Sequence, residues 1–250
     1  MSSPHPHLRH APIREALLDI RVELPPEVTV ETLEELSNGI LHDFPAIRPI
    51  QHIQYHLPTD GEELEARMPG TSQTLGRIHW NADQSRAVQI RVDGVTVNHV
   101  QSYEDWEALR QQAEGLWLEY SKIARPLKVV RCSLRYINKL ALVAGRDLAK
   151  QLRTRPEVSP ELPQTLEAYF MRLVVPFEDG RRAVITELTE SPPEEGAPPH
   201  LILDIDVSTS RTFDPTSDAD AIWTEFDRLR EIKNDCFFSS LEKETWKAYL

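Results

Sequence analysis

The chain has 250 residues, 40% of them apolar and five of them Trp, enough for one large folded unit with a proper core. It carries 40 Asp and Glu against 28 Lys and Arg, and the formal net charge of -12 excludes a duplex nucleic-acid surface, which needs a Lys/Arg footprint. No charged-then-apolar leader opens the chain and no apolar run reaches the roughly 18 residues of a membrane span, so the sequence reads as a soluble, cytoplasmic protein with no membrane partner.

The first seven residues, rich in Pro and His, predict a loose start. Residues 13–24 then alternate: Ala16, Leu18, Ile20, Val22 and Leu24 are apolar, whereas Glu15, Asp19, Arg21 and Glu23 point the other way. Period two means a strand with one buried face, and Pro25-Pro26 stops it. A helix follows, with Thr29 as its N-cap and Leu33, Leu36, Ile40 and Leu41 on one side. Residues 51–57, 63–68, 75–80 and 87–100 read as antiparallel strands, with a turn at residues 81–84 and a tight turn or bulge at Asp93-Gly94. Ser102 and Asp105 have the spacing of a capping box. The helix it opens carries Trp106, Leu109, Ala113, Leu116, Trp117, Tyr120 and Ile123 at three- and four-residue steps, and Pro126 closes it.

The second part repeats that order of elements. In a strand over residues 127–142, Arg131, Ser133 and Arg135 oppose Val130, Cys132, Leu134 and Tyr136. A short helical stretch over residues 147–152, strands over 166–177, 182–189 and 201–208, and a Pro-rich surface excursion at 191–199 follow. A second long helix carries Ala219, Ile222, Trp223, Phe226, Leu229 and Ile232, ahead of a tail with Cys236, Phe237, Phe238, Leu241, Trp246 and Tyr249. The prediction is an α+β fold: antiparallel sheet packed by long amphipathic helices, one cooperative unit over residues 1–250 with two similar halves, 12–125 and 126–250.

Three alternating strands put Glu15, Asp19, Arg21, Arg131, Arg135, Asp204 and Asp206 on one face. Arg131, Arg135 and Asn138 are the foremost ligand candidates, because guanidinium groups four residues apart on a strand can share one carboxylate or phosphate. The competing reading is that they pair with Glu15, Asp19, Asp204 or Asp206, as a polar sheet face ordinarily does. Asp204 and Asp206 form a candidate divalent-cation pair of hard oxygen ligands. His79 and His99 flank the face as candidate acids or bases, and His52 and His56 lack the Glu of a zinc hydrolase. Cys132 and Cys236 read as reduced core thiols. No phosphate loop, dinucleotide fingerprint or nucleophile elbow is present, and no cofactor is implied.

Glu15-Ala16-x-x-Asp19-Ile20-Arg21, Tyr103-x-x-Trp106, Arg135-Tyr136-Ile137-Asn138 and Asn234-x-x-Phe237 occur in that order. In this the chain resembles a sporadically distributed, functionally uncharacterised bacterial protein family whose members share these signatures. The resemblance implies a bacterial cytosolic protein and carries no activity. Two expectations stand: a non-catalytic module binding a protein or a small anionic ligand through the charged face, as an accessory protein of a toxin-antitoxin or phage-defence locus, or an enzyme acting on a phosphorylated or nucleotide-like substrate there with a divalent metal. The apolar tail must cover the sheet within its own chain or bury against a partner, and a homodimer is favoured over intrachain packing.

Overall fold

The computed structural model describes residues 5–54, 71–101, 103–143, 145–164, 166, 168–190 and 199–250. Its strands are β1 (Ile13–Glu23), β2 (Ala46–Gln54), β3 (Thr71–Trp80), β4 (Arg86–Arg91), β5 (Gly94–Val100), β6 (Lys128–Ala141), β7 (Phe170–Pro176), β8 (Arg181–Glu190) and β9 (His200–Thr209). They form one sheet in the order β2-β3-β4-β5-β1-β6-β9-β8-β7, every ladder antiparallel. The helices are α1 (Glu34–Gly39), α2 (Trp106–Ala124), α3 (Ala219–Ser240) and α4 (Lys243–Trp246), so the class is α+β.

Alternation decides what each face meets. Ala16, Leu18, Ile20 and Val22 of β1, Leu134 and Tyr136 of β6, and Leu203, Ile205 and Val207 of β9 are buried together, along with the apolar stripes of α2 and α3. Burying one such side chain is worth roughly 1.5–3 kcal/mol, so these two helices supply much of the drive to fold. Both lie on the same side of the sheet. Among the described residues, α2 is packed against β5 and β1, and α3 against β6, β9 and β8.

Several local expectations change. Residues 87–100 split into β4 and β5 at Asp93-Gly94, where Gly94 has φ 137 and a Cβ would strike the Ile20 carbonyl. Residue 94 must therefore be glycine. The first predicted helix shrinks to the six residues of α1: Thr29 caps nothing and instead donates its N–H to the Thr32 hydroxyl. Asp105 is the N-cap of α2, accepting from the Ala108 N–H at 2.7 Å, and Ser102, the expected capping-box hydroxyl, lies outside the described residues. The Asp105 carboxylate is as good a cap as a hydroxyl and sits directly before the apolar stripe. The strand predicted at 63–68 and most of the 191–199 excursion lie outside the described residues.

At the far end, α3 runs on past Ile232 to Ser240, and the tail folds back. Phe237 and Leu241 are buried, Phe238 meets Trp246 edge-on at 5.3 Å, and Tyr249 O accepts from the His10 N–H. At the edge of the sheet β7 leaves Phe170 66% and Val174 52% exposed.

One ion pair ties α3 to the sheet. Arg181, on the helix side of β8, grips the Glu225 carboxylate with Nε and Nη2 at 2.7 and 2.6 Å, and both side chains are nearly excluded from solvent. Replacing Arg181 by Met leaves the buried Glu225 carboxylate with Arg211, at 3.4 Å, as its one ion-pair partner among the described residues. Such a break costs ~3–5 kcal/mol, whereas replacing both partners by apolar residues costs far less. Urea denaturation of Arg181→Met and of the double variant Arg181→Met/Glu225→Leu measures the difference.

Candidate functional site

The open side of the sheet carries the charged residues picked out by alternation. Asp19 is their hub: it accepts from Arg91 Nη2 at 2.8 Å, from the Thr96 hydroxyl at 2.6 Å and from Arg21 Nε at 3.0 Å, with Arg131 Nη1 at 3.5 Å. Arg91 also reaches Asp93, Thr96 and Gln89, and Arg21 closes the ring onto Asp93. Next to it, Arg135 forks onto Asp204 at 2.8 and 2.6 Å, Arg131 reaches Asp206 at 3.3 Å, and Glu15 accepts from Asn98. Every guanidinium group named here is therefore engaged with a carboxylate of the same face.

The electrostatics follow from the packing. Burial works to raise the Asp19 carboxyl, but Arg91, Arg21 and the Thr96 hydroxyl outweigh it and hold it below the usual carboxylate range. Burial raises Glu15 and Asp206, which their Arg neighbours offset only in part. Asp206 Oδ1 and Asn98 Oδ1 are buried with no hydrogen-bond partner among the described residues. Asp204 is spent on Arg135, and no group of three or more His, Cys, Asp or Glu among the described residues is placed to hold a metal.

The remaining predicted residues do not join this face among the described residues. His79 and His99 project to the helix side, buried, and burial pulls both below the usual imidazole range, so they are neutral side chains of the interior. His52 stands in β2, and His56 lies outside the described residues. Asn138 also leaves the charged face. It shares the helix side with Leu134 and Tyr136, is 2% exposed, and donates through Nδ2 to the Leu203 carbonyl at 3.0 Å.

Asn138 instead lines a cavity of about 290 Å³ between the segment 5–13, the start of α2 and the second half of α3. Two cations of α3 face it. Arg230 lies with its guanidinium carbon 5.5 Å from the Trp106 ring centre, and Lys233 holds Nζ 3.9 Å from that of Tyr136. Among the described residues neither makes an ion pair or a hydrogen bond. Burial, helped by Arg230, brings Lys233 down to about 7. The Tyr136 hydroxyl donates to Tyr103 at 3.1 Å, and burial raises both phenols, so they stay protonated. At the rim Asp105 is committed to its cap and Glu104 to Arg86, while Glu107 is exposed. His5 stacks on Phe238 at 4.4 Å and bonds Asp235 at 2.7 Å, securing the N-terminal segment beside the opening.

Sequence reasoning passed over Arg230 and Lys233, which fall off the apolar stripe of α3. The signal lay in the signatures: Tyr103, Trp106, Asn138, Asn234 and Phe237 all line this cavity, and Tyr136 backs it. Comparisons with protein families, with curated proteins and with solved structures give no match.

The hub predicts a pH dependence. A carboxyl held below its ordinary value stabilises the fold fully above that value, about 3.8 for Asp, and loses its contribution as pH falls through the folded-state pKa. Asp19→Asn is expected to cost about 3 kcal/mol at neutral pH by leaving buried Arg91 with Asp93 as its one remaining carboxylate among the described residues, and the gap to the parent should close in acid. Urea midpoints of both proteins between pH 2 and 7 test this.

Proposed function

We propose that the chain is a binding protein for a small anionic ligand held in the cavity beside α3, not on the charged sheet face. The observation that carries this reading is the contrast in pairing. The four arginines of the sheet face are neutralised by five carboxylates around them, Glu15, Asp19, Asp93, Asp204 and Asp206, whereas Arg230 and Lys233 make no ion pair among the described residues, with Glu104, Asp105 and Glu107 standing only at the rim of the cavity they face. Unpaired, partly buried cations packed against aromatic rings attract an anion more strongly than fully exposed ones. The Trp106, Phe237 and Phe238 rings beside them suit a ligand with an apolar portion, and the Asn234 amide and Asn138 add polar contacts that fix orientation.

Two further readings belong with this proposal. The sheet order places β1 beside β6 at the centre, each followed by strands leading outward and back to a long helix, which supports two similar halves. The spatial gathering of three of the four signatures at one cavity supports the resemblance to the sporadic bacterial family, and with it an accessory binding role. The in-chain packing of the tail gives a homodimer through it no support.

A thermal-shift panel of small carboxylates and phosphate monoesters tests the reading. A ligand at a hundred times its Kd stabilises by ~2.7 kcal/mol, roughly 5–10 °C for a chain of this size. Arg230→Gln is expected to abolish the shift and Arg135→Ala to preserve it. A shift lost in Arg135→Ala and kept in Arg230→Gln returns the site to the sheet face.

A further inference from the structure

Resting on the cavity reading, we propose that Lys233 is a carbonyl-reactive amine and that the ligand class is a 2-oxo acid, captured reversibly as an imine. Arg230 and Lys233 are three residues apart on α3, which sets their side chains on neighbouring positions of one helix face, about 5–6 Å between Cβ atoms. That spacing suits a carboxylate with a carbonyl on the adjoining carbon: the guanidinium forks onto the carboxylate, and Nζ is left beside the carbonyl carbon.

The surroundings of Nζ fit a nucleophile better than a permanent counter-ion. No carboxylate among the described residues pairs with it, a second cation lies one turn away, and its near neighbour is the face of the Tyr136 ring, 3.9 Å from Nζ. The ring favours the ammonium, while burial and Arg230 favour the free amine. Burial and Arg230, opposed by Cys236, bring the amine down to about 7, which leaves a fraction unprotonated at neutral pH, the form that attacks carbonyls. Arg230 and Cys236 on α3 act on it directly, its ring neighbour is Tyr136 on β6, and Tyr103, ahead of α2, and Glu107, in its first turn, act on the Tyr136 phenol.

The step balances without a co-reactant. The Nζ lone pair forms a bond to the carbonyl carbon, and the oxygen takes the π electrons and a proton to give a carbinolamine. The C–O bond then breaks, the two amine hydrogens leave with the oxygen as water, and a C=N bond remains. Hydrolysis runs the same steps backwards and frees the ligand.

The test uses the full chain with pyruvate and, as a carbonyl-free analogue, lactate. Pyruvate followed by borohydride is expected to fix one adduct, mapped by mass spectrometry to Lys233, at a rate at least roughly tenfold above exposed Lys128 and Lys243. Lys233→Arg should lose that adduct while keeping the parent circular dichroism, Arg230→Gln should reduce it about tenfold or more at fixed pyruvate, and Arg135→Ala should match the parent. Adducts spread evenly over surface lysines, or retained in Lys233→Arg, overturn the proposal. If lactate raises the melting temperature in an Arg230-dependent way and pyruvate leaves no adduct on Lys233, the imine fails and the anion site survives. If no adduct forms and neither these two compounds nor any member of the carboxylate and phosphate-monoester panel shifts the melting temperature, the cavity reading fails with it.

Discussion

The ladder between β1 and β6 is the constraint on which the molecule depends. Its register sets Asp19 opposite Ser133, Leu18 opposite Leu134 and Ala16 opposite Tyr136, so one pairing decides two surfaces at once. A slip of one residue would exchange every side chain between them. On one side the ladder presents an ionic network to the open; on the other it presents the apolar floor on which α2 and α3 lie, and in the gap between them the cavity is left. The irregularity between Ile13 and Glu15 belongs to the same ladder and puts Ile13 opposite Asn138, at the cavity wall.

The two surfaces show how differently nature can use the same residue types. Arginine on the sheet face is structural: Arg91, 2% exposed, is held from several directions and fixes the β4–β5 hairpin to β1 through Asp19. Such a network organises strands, since each member left alone would be a buried or half-buried charge without compensation. Arg230, by contrast, packs on the Trp106 ring and Lys233 on that of Tyr136, and among the described residues neither is ion-paired. What distinguishes the two sets is not charge but whether the fold has already supplied the opposite sign.

How far this was legible in the sequence depends on the reach of each signal. Period-two alternation is strictly local, and it located β1, β6 and β9 and the common face of Glu15, Asp19, Arg131, Arg135 and Asp204. The stripes of α2 and α3 were equally plain. Asn138, expected as a ligand contact together with Arg131 and Arg135, stands on the opposite side of the sheet, because an odd-to-even step along a strand changes face. The helix predicted after Thr29 was shortened by tertiary context, its few apolar residues being too few to hold several turns. The cavity was out of reach for a further reason: residues 5–13, 103–107, 138 and 230–238 come together only when both helices settle on the sheet, and no spacing in the chain announces that meeting.

The exposed edge at β7 bears on how copies of this chain behave in concentrated solution. An edge strand offers unpaired backbone donors and acceptors to any passing strand, and Phe170 and Val174 add apolar area to the invitation. Two of its own residues discourage the match: Arg172 brings a charge into the middle of the strand, and Pro176 removes a donor at its end. The remaining protection is the formal charge of -12, which keeps like molecules apart only over the ~8 Å that physiological salt leaves unscreened. Colloidal stability in this protein is therefore an ionic-strength property, strongest in dilute buffer and weakening as salt is added.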